Sequence, residues 1–389
     1  MQDADRSDAS RIGCLDGLRG LASLWVLVGH GLLLSGWHVP IVASPDFGVD
    51  LFIMISGFLM AFHYMQRRQR EPWEAPSTWI TFWIRRFFRI APLYYATLAV
   101  AVATGPWLGE ARVEIASVVP ASMTSMMRYT DQSLQNILLH LSFLFGLLPD
   151  YGFRTALPDW SIGLEMQYYL ALPFLMLVIS RIGWLAGAVA IAAAGILLFS
   201  ISPSFFDSYE MPSVLVLKLH VFLAGMLCAG AMGRSRRAVL LCALLAVVLA
   251  AVPIGGRVTP LPLLARAMIA LGLFGLIHHA ALGGLVGRVL SRSAALLGSR
   301  PFHLLGEASY GLYLIHLLVM LPAVAYVATT LGTSTPAPAR FAFAMALTVP
   351  IVFAATWLVY NTIEMPGRAL GRRILASPVM RRSLVSPVR

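Results

Sequence analysis

Arg19 and His30 stand eleven positions apart in GLRGLASLWVLVGH, a single apolar, helix-compatible stretch. An ionisable group inside such a segment is costly unless it faces a protein interior or a wet cavity, so each is a candidate functional residue. Eleven residues make close to three helical turns, which puts both side chains on nearly the same face, roughly 16 Å apart along the axis. That separation suits a guanidinium that holds one part of a long ligand and an imidazole that does chemistry at another. The alternative is a packed helix with a hydrogen-bonded histidine.

Four further stretches set polar groups in apolar sequence. In GVDLFIMISGFLM (48–60), Asp50 can orient an imidazole and raise its basicity, or it can cap a helix; Ser56 lies deeper. In WIRRFFRIAPLYY (83–95), Arg86 and Arg89 share a helix face and Arg85 lies on an adjoining one. Guanidinium groups hold phosphate bidentately and stay charged, so the cluster fits a nucleotide-bearing ligand, against the alternative of an anchor among lipid headgroups. In PDWSIGLEMQYYLALPF (158–174), Ser161 and Glu165 share a face one turn apart. Glu165 can hold His30 or bind a hydroxyl substrate, and Trp160 can contact substrate or sit in an interfacial aromatic belt. In EASYGLYLIHLLVM (307–320), Tyr310, Tyr313 and His316 step by three along one face. His316 is either a second active-site group or a hydrogen-bonded structural one, and the structural reading is favoured. Glu364 is expected to pair with an arginine, while Lys218 and His220 stay ambiguous.

The elements that must position these residues follow from composition. The chain has 389 residues, 58% hydrophobic and 12% charged, with a mean hydropathy of +0.77. Apolar runs approaching the roughly 20 residues needed to cross a bilayer recur along it, so the fold is expected to be an all-α integral membrane protein. The net charge of +11 does not point to nucleic acid, because the arginines sit in short clusters beside apolar runs, such as Arg67, Arg68, Arg70 and Arg234, Arg236, Arg237, where they set topology. The first apolar run carries Arg19 and lacks a small-residue cleavage site, so it reads as a retained span. Cys14, Cys228 and Cys242 show neither paired nor metal-ligand spacing.

Ten spans are expected at about 14–36, 46–65, 87–104, 161–180, 185–201, 214–232, 237–254, 261–281, 302–327 and 341–360, with both termini in the cytoplasm. Loops 66–86, 181–184, 233–236 and 282–301 are then internal and arginine-rich, whereas 202–213 carries Asp207 and Glu210 with no basic residue. Asn136 to Leu148, NILLHLSFLFGLL, is short and contains His140, so it is expected as an interfacial or re-entrant helix in an outer region, 105–160. Residues 1–13 and 374–389 are expected as cytoplasmic tails around a transmembrane domain, 14–373. No internal repeat is visible.

Taken in order, LDGLRGLASLWVLVGH, GVDLFIMISGFLM, RRFFRIAPLYY, WSIGLEMQYYL, ASYGLYLIH and TIEMPGR resemble the membrane acyltransferase 3 family. The resemblance runs from Leu15 to about Arg373. It implies a ten-span integral membrane enzyme that moves an acyl group, commonly acetyl, from acyl-coenzyme A to a hydroxyl, often on a sugar. The near-exclusive use of arginine over lysine points to a GC-rich genome and a bacterial inner membrane. Coenzyme A would be a co-substrate, with no cofactor or metal held permanently. The family's basic residue and histidine map onto Arg19 and His30, its arginine pair onto Arg86 and Arg89, and its tryptophan-serine-glutamate motif onto Trp160, Ser161 and Glu165. His30 would act as general base or as an acyl-carrying nucleophile, oriented by Glu165 or Asp50. Arg19, Arg85, Arg86 and Arg89 would hold the coenzyme phosphates, and Trp160, Ser161, Tyr310, Tyr313 and His316 would contact substrate. Some members carry a fused hydrolase-like domain; here the last span lies close to the end of the sequence, so that function is expected to be absent or supplied by another protein. A glycan, a glycolipid or a small secondary metabolite all fit as acceptor, and a transporter of a glycan or acyl intermediate is the rival from another class.

Overall fold

The computed structural model describes residues 2–256, 259–378 and 380, with side chains from Gly13 onward. Among them there is helix and no strand, as the recurrent apolar runs require. Eight helices are long and apolar enough to cross a membrane, and the protein is an all-α integral membrane protein. The backbone of the expected N-terminal tail already belongs to α1 (Gln2–Ser35). Most of the expected C-terminal tail, residue 379 and residues 381–389, lies outside the described residues.

After α1 come α2 (Pro45–Arg67), α3 (Pro76–Val118), α4 (Met127–Thr130), α5 (Leu134–Leu141) and α6 (Trp160–Ile182). Then follow α7 (Trp184–Ile201), α8 (Pro203–Asp207), α9 (Leu215–Gly230), α10 (Arg236–Ala250) and α11 (Pro260–Ile277). The chain continues through α12 (Gly284–Leu297), α13 (Arg300–Leu331), α14 (Ala337–Val359) and α15 (Met365–Ala376). Two of the expected spans are shorter than the sequence suggests. Those at 214–232 and 237–254 form helices of 16 and 15 residues, separated by a turn in which Gly233 takes φ +69° and Ser235 caps α10. The expected loop 282–301 instead contains the amphipathic helix α12, with Leu285, Val286 and Leu296 exposed.

Helix α3 departs most from expectation. It runs past residue 104 to Val118, 43 residues in all, or about 64 Å at 1.5 Å per residue, twice the roughly 30 Å hydrocarbon thickness. Pro106 does not stop it, because the extension is held by packing: Leu108 and Ile115 are buried, and Gly105 approaches so closely that a Cβ there would lie 2.2 Å from the Tyr129 carbonyl oxygen. The stretch 136–148 does not cross. Helix α5 has eight residues and ends before Phe143, whose φ of 60° turns the chain into a short 3-10 segment, Leu144–Leu147.

At the centre, α13 packs along α1, α3 and α14, and α2 packs along α9. Membrane helices gain little from burying apolar surface against one another, so small residues that allow close approach take over that role. A Cβ on Gly57 would lie 2.2 Å from the Phe222 carbonyl oxygen, and one on Gly225 1.9 Å from that of Met54. Leu240, Leu244, Ile201 and Trp357 are exposed and meet lipid. Overpacking at a backbone contact costs up to about 3 kcal/mol. Gly225→Val should therefore lower the thermal midpoint in detergent, while Gly272→Ala, where nothing lies within 4 Å of the new Cβ, should leave it unchanged or raised.

Candidate active site

Two cavities meet inside the bundle. The first, of about 90 Å³, is lined by Arg19, Arg86, Arg89, Glu165 and Tyr169 among apolar side chains such as Phe52, Leu59 and Met60. The second, of about 860 Å³, is lined by His30, Asp50, Trp160, Arg112, Arg128 and Lys218, together with many other groups. Val49 and Tyr313 line both, so the septum between them is about one side chain thick. The spacing of Arg19 and His30 on α1 thus has a structural counterpart: the guanidinium serves one cavity and the imidazole the other.

In the first cavity, three guanidinium groups face one carboxylate. Glu165 accepts from Ser56 Oγ at 2.8 Å and from the Tyr169 hydroxyl, and Arg86 lies 5.5 Å from the Tyr169 ring centroid. Neither Arg19 nor Arg89 forms a salt bridge, so among the described residues the cavity holds more cation than anion. Tyr310 donates to the Ile90 carbonyl at 2.8 Å and braces α13 against α3. Arg85 does not join this cluster. It is exposed and forked onto Glu71 at 2.8 and 3.0 Å, as its place on the adjoining helix face dictates. Glu364 is buried in a π-helical turn, Tyr360–Glu364, and pairs with Arg368.

His30 is oriented by neither carboxylate that the sequence offered. Glu165 has the partners just given, and Asp50 is held by Lys218, whose Nζ donates to it at 2.6 Å. The partner of His30 is His316, buried and unexposed. His316 Nδ1 lies 2.6 Å from the Tyr313 carbonyl and its Nε2 lies 3.1 Å from His30 Nδ1, which in turn lies 3.0 Å from the Val26 carbonyl. A carbonyl only accepts, so both Nδ1 atoms carry hydrogen and His316 Nε2 accepts from His30. This network assigns the free lone pair of His30 to Nε2, the nitrogen left for base or nucleophile chemistry. His316 is therefore buried behind His30 and holds its ring through a hydrogen bond. Removing one neutral hydrogen bond costs about 0.5–1.5 kcal/mol. His316→Phe should accordingly reduce turnover roughly two- to tenfold with little change in KM, as measured by steady-state transfer rates.

The septum is fixed by a short hydroxyl chain. Tyr313 donates to the Pro158 carbonyl at 2.6 Å, so its oxygen accepts from Ser161 Oγ at 2.8 Å. Trp160 lines the second cavity and is mostly buried. Behind this turn Asp159 accepts from Thr155 at 2.8 Å and Tyr94 at 3.1 Å, with His140 Nε2 at 3.7 Å. Burial pushes the Asp159 carboxyl up, with His140 and these hydroxyls opposing it.

Sequence reading overlooked Arg112, Arg128 and Arg266 and left Lys218 undecided. A signal did exist for Lys218: it is the only lysine in the chain, and it sits in a buried ion pair with Asp50.

An all-helical membrane bundle with a guanidinium cavity and an imidazole cavity end to end has the parts of a membrane-embedded group-transfer enzyme. The model of the acyltransferase domain matches residues 12–357, and the chain belongs to the membrane acyltransferase 3 family. It is similar to the acyltransferase MdmB of Streptomyces mycarofaciens, 27% identical across 93% of both chains. It is also 28% identical to the peptidoglycan O-acetyltransferase OatA of Listeria monocytogenes, over 46% of this chain and 26% of OatA. With BcsY of Komagataeibacter xylinus, named a membrane-bound transacylase, it shares 30% identity over 42% of this chain, a match spanning only 36% of BcsY. No solved structure matches the chain significantly.

Proposed function

We propose that the protein takes an acyl group from acyl-coenzyme A at its arginine-rich cavity and passes it across the septum to a hydroxyl held in the His30 cavity. The observation that carries this reading is the pair of cavities sharing Val49 and Tyr313. Arg19, Arg86 and Arg89 would neutralise coenzyme phosphates, since guanidinium forks match phosphate geometry. With its phosphates held by these guanidinium groups of the first cavity, the donor would extend its acyl end toward the septum at Val49 and Tyr313. His30 Nε2 would remove the acceptor hydroxyl's proton as that oxygen attacks the thioester carbonyl, general-base assistance being worth about 10²–10⁴ in rate. With arginine-rich loops in the cytoplasm, donor would enter from the cytoplasm and acceptor from the far side of a bacterial inner membrane. The likeness to a peptidoglycan O-acetyltransferase supports a glycan acceptor.

The test uses membrane vesicles of known orientation carrying the protein, with acetyl-labelled coenzyme A offered on one face and glycan and lipid fractions counted afterwards. Covalent label in one fraction, with donor needed on the arginine-rich face only, is the expected result. Movement of an intact substrate without covalent change would instead establish the transporter.

A further inference from the structure

The wall of the His30 cavity holds cations that the transfer reaction does not use. Arg112 on α3 and Arg128 on α4 are 6% and 4% exposed, and both line the cavity. Burying a guanidinium is costly unless it is paired, yet neither has a salt bridge among the described residues. Arg112 spends only Nε on a protein side chain, donating to the Tyr129 hydroxyl at 3.0 Å. Arg128 donates to the carbonyls of Thr155 at 3.1 Å and Leu157 at 3.5 Å and stacks 3.4 Å from the Phe153 ring centroid. Its ring and backbone partners fix the plane of the guanidinium without cancelling its charge. Burial brings Arg128 down to about 10. Burial by itself would raise the Tyr129 phenol, but Arg128 and Arg112 together pull it down, while Asp159 and Glu210 partly offset the charge of Arg128.

We infer that Arg112 and Arg128 form an anion subsite beside His30, and that the acceptor is a hydroxyl compound carrying its own negative charge, a carboxylate or a phosphate, near the hydroxyl that is acylated. Both anions present the paired oxygens that a guanidinium fork matches. Arg266, 2% exposed and bonded, among the described residues, to the carbonyls of Val252 and Ile254, lines the same cavity. Asp46, Asp50, Asp207 and Glu210 also line the cavity, but neither Arg112 nor Arg128 has a salt bridge among the described residues, so an acidic acceptor supplies a direct partner that a neutral sugar does not.

The activity half of this inference rests on the acyltransferase reading, and the binding half does not. The full-length protein in nanodiscs is given labelled acetyl-coenzyme A with the methyl glycoside of glucuronic acid (its carboxylate free), glucose 1-phosphate or methyl glucoside. Thermal stabilisation by each sugar is measured in parallel. An acidic acceptor should exceed the neutral one at least tenfold in kcat/KM, the better of the two acids naming the anion. Arg112→Gln should bring that ratio within twofold, and Arg112→Lys should keep part of it by retaining the charge. If the neutral sugar is labelled as well as the acids, or if the ratio survives Arg112→Gln, the subsite is overturned. Should no sugar be labelled while the acids still stabilise the wild type and not Arg112→Gln, the subsite stands and the enzyme reading fails. Absence of both label and stabilisation overturns the two together.

Discussion

His30→Ala is expected to reduce acyl transfer by a factor on the order of 10²–10⁴, the range that a positioned general base supplies, with normal insertion and thermal stability. The large effect follows from the tautomer. His316 and Val26 hold the Nδ1 proton of His30, so Nε2 is its one basic site. The check is initial rate at saturating donor in purified protein, together with an unfolding curve. A mutant within threefold of wild type would remove His30 from the chemistry. Wild-type protein quenched with labelled donor and no acceptor separates the two roles, because an acyl-histidine leaves label on the chain and a general base leaves none.

The second large effect is expected at the guanidinium groups of the first cavity. A hydrogen bond to a charged partner is worth about 1.5–3 kcal/mol, so Arg86→Ala and Arg89→Ala should each lower kcat/KM for acyl-coenzyme A roughly 10- to 100-fold, chiefly through KM. Arg85→Ala should change it less than about twofold, since Arg85 is exposed and engaged with Glu71, and exposed pairs contribute little. Equal losses at Arg85 and Arg89 would mean that the cluster acts as a diffuse headgroup anchor and not as a built phosphate site.

These contrasts show what the sequence could convey. Arg19, His30, Arg86 and Glu165 stand out because each interrupts an apolar run, and contrast with the surroundings is information carried locally. The difference between Arg85 and Arg86 is a rotation about one helix, visible in the spacing but decided only by what packs on each face. His316 was seen, yet its role depends on α1 and α13 meeting so that two imidazoles touch, 286 positions apart in the chain. Arg112 and Arg128 were invisible for the opposite reason to His30. They lie in mixed sequence where an arginine is unremarked, and their burial is created by Tyr129, Phe153 and the unforeseen extension of α3. The same extension explains why the span boundaries near 104 failed while those of α1, α2 and α6 were close.

The septum also has an electrical consequence. Were water to fill both charged cavities, the potential across the membrane would fall mainly over the short stretch at Val49 and Tyr313 that they share. Under the proposed chemistry the proton of the acceptor ends on His30 at one side of that stretch, while the electron pair leaves with the coenzyme thiolate at the other. One negative charge thus crosses most of the field in a single turnover. A potential negative on the donor side opposes that movement by up to about 2.3 kcal/mol per 100 mV, which would make this acyl transfer slower in energised membranes than in depolarised ones.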